Sequence, residues 1–409
     1  MTAPASTPAA TTGGPLRGVR VLDLGTLLAG PVSATLLGDF GAEVIKIEQP
    51  GAGDTLRGGA TEPGDPPRLF WLVEGRNKRS VTVDMRKPAG QDLVRRLAAV
   101  ADVVVENFTP GTLEGWRLGW DDLRAVNPGL IMVRVSGFGQ TGPYAKRPGY
   151  DRIALGVSGY LYPTGYPDRP PVRPAFPTAD YNTASFAALA AMLALYERDA
   201  QGGVGQMIDL ALYEAPFRIT TDLIGAYRQR GEIRERIGNR NPGFTPAGNF
   251  LTSDDRWIQI AAGGDGPWRR LCGAMGRPEL ADDERYATPR LRHRKADELE
   301  ELLREWISGM AYDDVEALLV DHNVPAGGIF TAADISEDPH FAARGNIATV
   351  DDGHGNEVAM PSVVPNLTGT PGAIRHAGQD LGHDTDAVLG ELLGLTDDEI
   401  TALRADGIV

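Results

Sequence analysis

Asp180 is the carboxylate in this sequence whose surroundings could make it reactive. It ends the segment PTAD and stands directly before YNTASFAALAAMLALYER, which is apolar almost all round and predicts a buried helix. An aspartate at a helix start is expected to be the N-cap, with its oxygens facing the first backbone N–H groups. The helix dipole would keep it ionised, and partial desolvation would make it a better nucleophile. A simple cap and a nucleophile are therefore two interpretations of Asp180.

The positions of the histidines limit what else the first half of the chain can do. All six histidines lie beyond residue 290. No HExxH motif or paired-ligand spacing occurs, so no metal site is expected. Ser136 and Ser158 lack the GxSxG elbow of the α/β-hydrolases. Chemistry in this half must therefore use carboxylates, hydroxyls or backbone groups.

A dinucleotide site is also not expected. The turn Gly25–Pro31 reads GTLLAGP, where a dinucleotide-binding fold would carry the GxGxxG fingerprint. Glu48 ends the second predicted strand and resembles the ribose-binding acid of NAD enzymes. Without the glycines, this acid alone does not indicate NAD.

Composition sets the broad class. The chain has 409 residues, 42% of them hydrophobic and 23% charged, which predicts a globular protein with two domains. The net charge of −15 argues against nucleic acid as the main partner. The single cysteine, Cys272, excludes a disulfide scaffold and favours a cytoplasmic location. No apolar run reaches the roughly 18–20 residues of a membrane span, so no membrane partner is expected. Residues 1–15 are expected to form a disordered tail rather than a signal peptide.

Five short apolar runs, each followed by a polar or Gly-rich turn, predict strands in the first half. They cover Val19–Leu24, Glu43–Glu48, Ser80–Met85, Asp102–Glu106 and Leu130–Val135. Amphipathic helical patterns such as residues 90–101 separate them, which predicts an α/β fold with a mostly parallel sheet. Ligands of such sheets bind beyond the carboxyl ends of the strands. The turns after these runs are therefore where a site is expected.

The rest of the sequence predicts a small inserted domain, followed by a segment that returns to the large domain. The segment QMIDLAL predicts another strand, and the charged residues 228–240 predict an exposed linker. A smaller α+β region follows, and the chain closes with two predicted helices at 384–393 and 397–405. We expect residues 16–225 to form most of a large domain, 226–325 a small domain, and 326–409 a segment that returns to the large domain.

An ordered set of motifs carries a family resemblance. The motifs are GVRVLDLGTLLAGPVSATLLGDFGAEVIKIEQPGAGD, NKRSVTVDMRKPAG, DVVVENFTPGTLE, SGFGQTGPYAKRPGYD, PTAD, GGVGQMIDLALYEA and VPAGGIFTAADISEDPHFAARGNI. In this order they resemble the class III CoA-transferases, the family of formyl-CoA:oxalate and carnitine CoA-transferases, from about Leu16 to Val409. The resemblance implies a Rossmann-like sheet domain completed by the C-terminal segment, a smaller α+β domain, and two ring-like chains interlocked as a homodimer.

The resemblance also implies a mechanism. The family's reactive aspartate falls on Asp180, which would attack an acyl-CoA thioester, form an anhydride and release CoA thiolate. The thiolate would return to give an aspartyl-CoA thioester, from which a free carboxylic acid takes the CoA. Acyl-CoA and the acid are thus substrates, and no permanently bound cofactor is expected. The family's CoA contacts fall on Leu28, Ala29, Gln49, Val83, Asp84, Met85, Arg86, Asn107, Phe108, Pro148, Gly149, Tyr150 and Asp151.

The sequence departs from the formyl-CoA enzymes at some of these positions. Leu28 replaces a glutamine, Gln49 replaces an arginine, and Gly115 replaces an arginine for which Arg117 is the nearest substitute. The glycine-rich loop of those enzymes has no clear counterpart near Gly263–Gly266. Formyl-CoA:oxalate specificity is therefore not expected.

Two alternatives share the expected fold. An α-methylacyl-CoA racemase needs a second acid–base group, and related sequences carry a histidine where Tyr150 stands; a tyrosine is a poor proton shuttle at neutral pH. A non-catalytic CoA-binding protein would bind CoA without exchanging it between acids. The sequence does not identify the acid substrates, and succinate is one candidate. Arginines that could hold a distal carboxylate are Arg173, Arg218, Arg228 and Arg240.

Overall fold

The computed structural model describes residues 13–58, 69–241 and 243–409. Most of the disordered tail expected over residues 1–15 therefore lies outside the described residues. Just beyond that tail the chain is already fixed, because Leu16 is buried and its N–H donates to the carbonyl of Phe40 at 3.0 Å. No helix in the described ranges is long and apolar enough to cross a membrane.

The chain divides into two compact units. The first, here called the sheet unit, comprises Met1–Tyr160, Pro174–Asp222 and Arg344–Val409. The second, the small unit, comprises Leu161–Arg173 and Leu223–Ala343. These bounds differ from the expected ones, since the small unit also takes a segment before the long helix and continues past residue 325.

The strands and helices are as follows. The strands are β1 (Arg20–Asp23), β2 (Glu43–Glu48), β3 (Lys78–Thr82), β4 (Val103–Glu106), β5 (Ile131–Ser136), β6 (Met207–Ala211), β7 (Ala247–Leu251), β8 (Trp257–Ala261), β9 (Ala326–Gly328), β10 (Ile347–Asp351) and β11 (Glu357–Pro361). The helices are α1 (Ala29–Asp39), α2 (Leu69–Glu74), α3 (Pro88–Ala98), α4 (Thr112–Gly115), α5 (Trp120–Val126), α6 (Asp151–Val157), α7 (Thr178–Ala200), α8 (Glu214–Arg218), α9 (Leu223–Arg230), α10 (Asp265–Ala274), α11 (Pro289–Arg294), α12 (Ala296–Ser308), α13 (Tyr312–Asp321), α14 (Ala332–Glu337), α15 (Pro339–Arg344), α16 (Thr385–Leu393) and α17 (Asp397–Ala405).

The sheet unit is built on six parallel strands in the order β3-β2-β1-β4-β5-β6. The predicted α/β class with a mostly parallel sheet is confirmed. The strand order reverses between β1 and β4, so the turns after these two strands diverge and leave a crevice where ligands of such sheets bind.

The third strand begins earlier than predicted. Its pairing with β2 starts at Val44↔Lys78 and ends at Glu48↔Thr82, so Val83–Arg86 form the turn after the strand. The polar residues Lys78 and Arg79 concealed this start in the sequence. Lys78 is tolerated inside the sheet because its ammonium group donates to the Asp23 carboxylate at 2.9 Å.

The C-terminal segment completes the sheet unit, as predicted. Val388 and Leu389 from α16 and Ile400 from α17 pack in the same core as the strands and α3. Backbone bonds fix this return, since the Asp384 N–H donates to the Ser80 carbonyl at 2.8 Å and the Asp84 N–H donates to the Ile408 carbonyl at 2.7 Å.

The long helix α7 is only half buried, which corrects the prediction of a buried helix. Its buried face consists largely of alanines, including Ala184, Ala187 and Ala191. The opposite face is open to solvent, with Leu189 54% and Leu193 61% exposed. Apolar residues occur on almost every side of this helix, so the sequence pattern could not distinguish a helix buried on all sides from one that exposes an apolar face.

The small unit has its own sheet and core. The antiparallel sheet has the order β7-β8-β9 and packs against helices through Ile258, Ile260, Trp268 and Leu303. Because Ala326 pairs with Ile260 in this sheet, the boundary expected at residue 326 moves toward the C-terminus.

Candidate active site

The crevice at the carboxyl ends of β1 and β4 is held by one asparagine. Asn107, the residue after β4, accepts a hydrogen bond from the Thr26 N–H and donates one to the Thr26 carbonyl, both at 2.7 Å. This two-way bond ties the turn after β4 to the turn after β1. The amide of Asn107 is therefore committed to shaping the site.

A buried cluster of charged side chains supports the turn after β1. Lys46 of β2 and Lys78 of β3 face Asp23 at the end of β1, and Lys46 also lies 3.3 Å from the Asp54 carboxylate. Burial opposes ionisation of Asp23, but Lys46 and Lys78 hold its pKa below the usual range. Because all these side chains are almost fully buried, loss of one partner would leave another charge uncompensated.

This cluster positions a strained residue. Leu27 has a φ of 62°, in the left-handed region that non-glycine residues seldom adopt. Its N–H donates to the Asp54 carboxylate at 3.1 Å, and Lys46 donates to the carbonyl of Gly25. The charge cluster therefore stabilises a turn conformation that the local sequence alone would not favour.

A cavity of about 260 Å³ opens at this end of the sheet, and Asp180 lines it. The turns after β1, β4 and β5 contribute the other walls. Of the predicted CoA contacts, those lining this cavity are Leu28, Ala29, Asn107, Phe108, Pro148, Gly149 and Tyr150. Residues that the sequence did not single out as contacts also line it, namely Thr26, Leu27, Thr109, Val135, Ser136, Gly137 and Leu212.

One wall depends on a close approach between two glycines. A Cβ atom on Gly149 would lie 2.5 Å from the Cα of Gly137, and one on Gly137 would lie 2.7 Å from the Cα of Gly149. Side chains at either position would therefore separate the two segments. This approach places Pro148–Tyr150 beside the end of β5.

A second, smaller pocket of about 110 Å³ lies between the turns after β1, β2 and β3. The predicted contacts that line it are Gln49, Val83, Met85, Arg86 and Phe108. Phe108 lines both pockets and packs edge-on against Trp116, with ring centroids 5.4 Å apart. Glu48 also lines the pocket, but its carboxylate is engaged by Arg57 at 2.6 and 2.7 Å.

Three predicted contacts line neither pocket. Asp84 forms a two-point ion pair with Arg86, whose guanidinium lowers the pKa of Asp84 to about 2. Arg117 is exposed and has a φ of 55°. It is not among the described residues that line the two pockets. Asp151 lies at the start of α7, where its carboxylate accepts a hydrogen bond from the Ala179 N–H at 2.7 Å.

Asp180 is not the N-cap of α7, which corrects the sequence prediction. The N-cap is Pro177, and Asp180 is the third residue of the helix. The carboxylate of Asp151 instead accepts from the N–H groups of Ala179 at 2.7 Å and Asp180 at 3.4 Å. Because Asp151 satisfies the helix start, the Asp180 side chain is free to face the cavity.

The protonation of Asp180 also differs from the expectation that the helix dipole keeps it ionised. Burial, and then the negative charge of Asp151, raise its pKa from 3.8 to about 7. Near neutral pH the group is therefore divided between acid and carboxylate. Its ionised form is more basic than an ordinary aspartate, which suits a nucleophile.

This pKa predicts how activity depends on pH. If ionised Asp180 attacks the substrate, kcat/KM should rise from roughly pH 6 to pH 8 and then level off. Asp151→Asn removes the neighbouring charge and should move this rise to lower pH, because the ionised form of Asp180 is then less disfavoured. Initial rates across the pH range check both statements. A flat profile in the wild type, or an unmoved one in the variant, would contradict them.

Of the arginines proposed to hold a distal carboxylate, Arg240 is already occupied. Its guanidinium lies 2.7 Å from Glu300 and 2.5 Å from Asp297, both on α12, and these partners raise its pKa. Arg218 and Arg228 are exposed. Arg240 is therefore a structural residue of the small unit.

Comparison with known proteins identifies the family of the chain. The model of CoA-transferase family III matches residues 16–385. The chain belongs to this family. It is 45% identical over 395 residues to the succinyl-CoA–D-citramalate CoA-transferase of Chloroflexus aurantiacus, covering 97% of this chain and 98% of that protein. A second relative from Chloroflexus aurantiacus, a succinyl-CoA–L-malate CoA-transferase alpha subunit, is 44% identical, with 99% of this chain and 96% of that protein covered.

A solved structure supports the fold assignment for this family III chain. The crystal structure of a CAIB/BAIF family protein from Brucella suis superposes with a TM-score of 0.83 at 36% identity. The match covers 93% of this chain and 100% of that one. The resemblance stated from the sequence motifs is confirmed, and the protein is an enzyme of the CoA-transferase class whose substrates are CoA thioesters and carboxylic acids.

Proposed function

We propose that this enzyme takes CoA from succinyl-CoA and transfers it to a short dicarboxylic acid. The near full-length identity of about 45% to a transferase named for succinyl-CoA and D-citramalate carries this proposal. The L-malate relative is named for the same donor and for an acceptor of similar size. Both names point to acids of four or five carbons with two carboxylates.

We propose that Asp180 carries the acyl group and then the CoA. A carboxylate oxygen of Asp180 attacks the thioester carbon, and CoA leaves as a thiolate with the electrons of the C–S bond. The thiolate then attacks the aspartyl carbonyl of the anhydride, releases the first acid and leaves an aspartyl-CoA thioester. The acceptor carboxylate attacks the carbonyl of this thioester, displaces CoA thiolate and forms a second anhydride with Asp180. The thiolate then attacks the acceptor's carbonyl in that anhydride, which gives the new acyl-CoA and releases the Asp180 carboxylate. The position of Asp180 in the cavity and its raised pKa support this role.

We propose that CoA lies across the two pockets. The smaller pocket offers Phe108 and Met85 to the adenine and Arg86, whose side chain is 62% exposed, to a phosphate. The thioester end would then reach the cavity with Asp180, since Phe108 lines both spaces. Gln49, Val83, Leu28, Ala29, Asn107 and Pro148–Asp151 shape the path, and Asp84 orients Arg86. Arg117 would serve only if CoA extends beyond the pockets.

An isotope-exchange assay tests the transfer reaction. With succinyl-CoA as donor and D-citramalate or L-malate as acceptor, the enzyme should produce the new thioester and label should exchange between succinate and succinyl-CoA. A non-catalytic CoA-binding protein would bind the thioester without any exchange. A racemase would instead incorporate deuterium at the α-carbon of a branched acyl-CoA in heavy water.

We propose that the working enzyme is a cytoplasmic homodimer. The exposed apolar face of α7, with Leu189, Leu193 and Tyr196 each more than half exposed, is the kind of surface that a partner copy covers. The buried, unpaired Cys272 suits a reducing compartment.

Light scattering of the purified protein should therefore give twice the chain mass of 43.7 kDa. Activity should elute with that species, even though the L-malate relative is named as one of two kinds of subunit. A folded and active monomer at sub-micromolar concentration would contradict the dimer.

A further inference from the structure

Ser136 carries a buried hydroxyl group without a hydrogen-bond partner among the described residues. It is the last residue of β5, is 4% exposed and lines the cavity that holds Asp180. Other buried serines of the sheet unit are satisfied within the protein. Ser33 donates to the Gly30 carbonyl at 2.6 Å and Ser158 to the Leu155 carbonyl at 2.9 Å. An unpaired buried hydroxyl costs stability, so a group that arrives with a ligand would relieve that cost.

The walls of the cavity leave few other side-chain donors for a developing negative charge. The described residues that line it include no lysine, arginine or histidine. The side-chain amide of Asn107 is occupied by Thr26. Thr109 and Tyr150 are exposed, whereas Ser136 is buried. Ser136 is therefore the buried hydroxyl of this cavity that is still able to donate.

We propose that the hydroxyl group of Ser136 donates a hydrogen bond to the thioester carbonyl oxygen while Asp180 attacks, an inference that rests on the proposed function. As the new C–O bond forms, the π electrons of the thioester carbonyl move to its oxygen. The negative charge therefore passes from the Asp180 carboxylate to that oxygen. The oxygen returns this pair when the C–S bond breaks and thiolate leaves. Ser136 keeps its proton throughout and only stabilises the charge.

The location of Ser136 suits this role. It stands at the end of β5, which is paired on both sides by β4 and β6, and its backbone carbonyl accepts from the Leu212 N–H at 2.8 Å. The next residue, Gly137, packs directly on Gly149. A donor fixed in this way needs little reorganisation when charge develops, and such donors stabilise the transition state more than the bound substrate.

Ser136→Ala separates this role from a structural one. We expect kcat with succinyl-CoA to fall by about 10²-fold, as for loss of one oxyanion donor. Binding should be measured by calorimetry on proteins that carry Asp180→Asn, which stops turnover. In that background, Ser136→Ala should change the equilibrium Kd for succinyl-CoA by no more than about twofold. The melting temperature should not fall, because the substitution removes a hydroxyl that has no partner.

Ser158→Ala is the matched control. It removes a buried serine hydroxyl that is bonded to Leu155 and is absent from the cavity lining. We expect it to lower the melting temperature and leave kcat unchanged.

The outcomes distinguish the inference from the function on which it rests. An unchanged kcat in Ser136→Ala would overturn the inference. A Kd weakened by the same factor as kcat/KM falls would also overturn it, because the contact would then be made equally in the bound substrate. In either case, hydroxylamine trapping of Asp180 in the wild type would still support the proposed function. If hydroxylamine did not modify Asp180, the proposal that Asp180 is the nucleophile would be wrong, whatever the activity of the Ser136 variant.

Discussion

Asp180→Asn protein is expected to have lost at least about 10³-fold of its CoA transfer activity, because the amide is a far weaker nucleophile than the carboxylate. The substitution preserves the shape of the side chain and its place as the third residue of α7. The helix start remains satisfied by Asp151, so the loss would not come from a missing cap. Initial rates should be measured on freshly purified protein whose mass excludes deamidation.

The stability of the same variant gives an independent control. The folded-state pKa of Asp180 is raised above 3.8, so this group contributes stability at low pH that is lost as the pH rises to about 7. Asparagine has no charge to desolvate. At pH 8, Asp180→Asn should therefore be at least as stable as the wild type in urea unfolding. A variant that is both inactive and clearly less stable would indicate a structural role for Asp180.

Lys46→Met is expected to lower the free energy of unfolding by about 3–5 kcal/mol, which is the usual effect of removing one partner from a buried ion pair. Lys46 is 1% exposed and compensates Asp23 and Asp54. Without it, the Asp54 carboxylate that accepts from the Leu27 N–H would be left without its cation. Urea unfolding at pH 7 measures the change.

Arg230→Met is the control for Lys46→Met. It also removes a cation that is paired with a carboxylate, that of Glu232 at 2.7 Å, but both side chains of this pair are exposed. We expect no measurable shift in the unfolding midpoint, because exposed pairs contribute little. If both variants unfolded at the wild-type midpoint, the charge cluster would not be holding the turn after β1.

Much of the sheet unit could be predicted from its sequence. Alternation of apolar β-branched runs with amphipathic helices gave the parallel sheet, since each buried strand must be apolar on both faces. This pattern did not predict the start of β3, because Lys78 and Arg79 are polar. Their burial depends on acids from other strands or helices, which a local pattern does not reveal.

The site was harder to predict in detail. Asp180 was identified because a carboxylate precedes a long apolar helix, but its place in the first turn depends on Asp151, which is distant in sequence and takes the capping bonds. Its raised pKa likewise comes from burial and from that neighbour. Ser136 gave only a weak signal as the residue between an apolar strand and a glycine-rich turn. Its lack of a partner is a property of the folded cavity.

Mass spectrometry of a trapped enzyme can detect the covalent intermediate on Asp180. Wild-type protein should be incubated with succinyl-CoA and hydroxylamine, digested and mapped, beside an Asp180→Asn control. Anhydrides and thioesters react with hydroxylamine, so we expect a hydroxamate on the peptide containing Asp180 in the wild type and none in the variant. An enzyme that transfers CoA at full rate without modification of that peptide would contradict the assignment of Asp180 as the group that carries acyl and CoA.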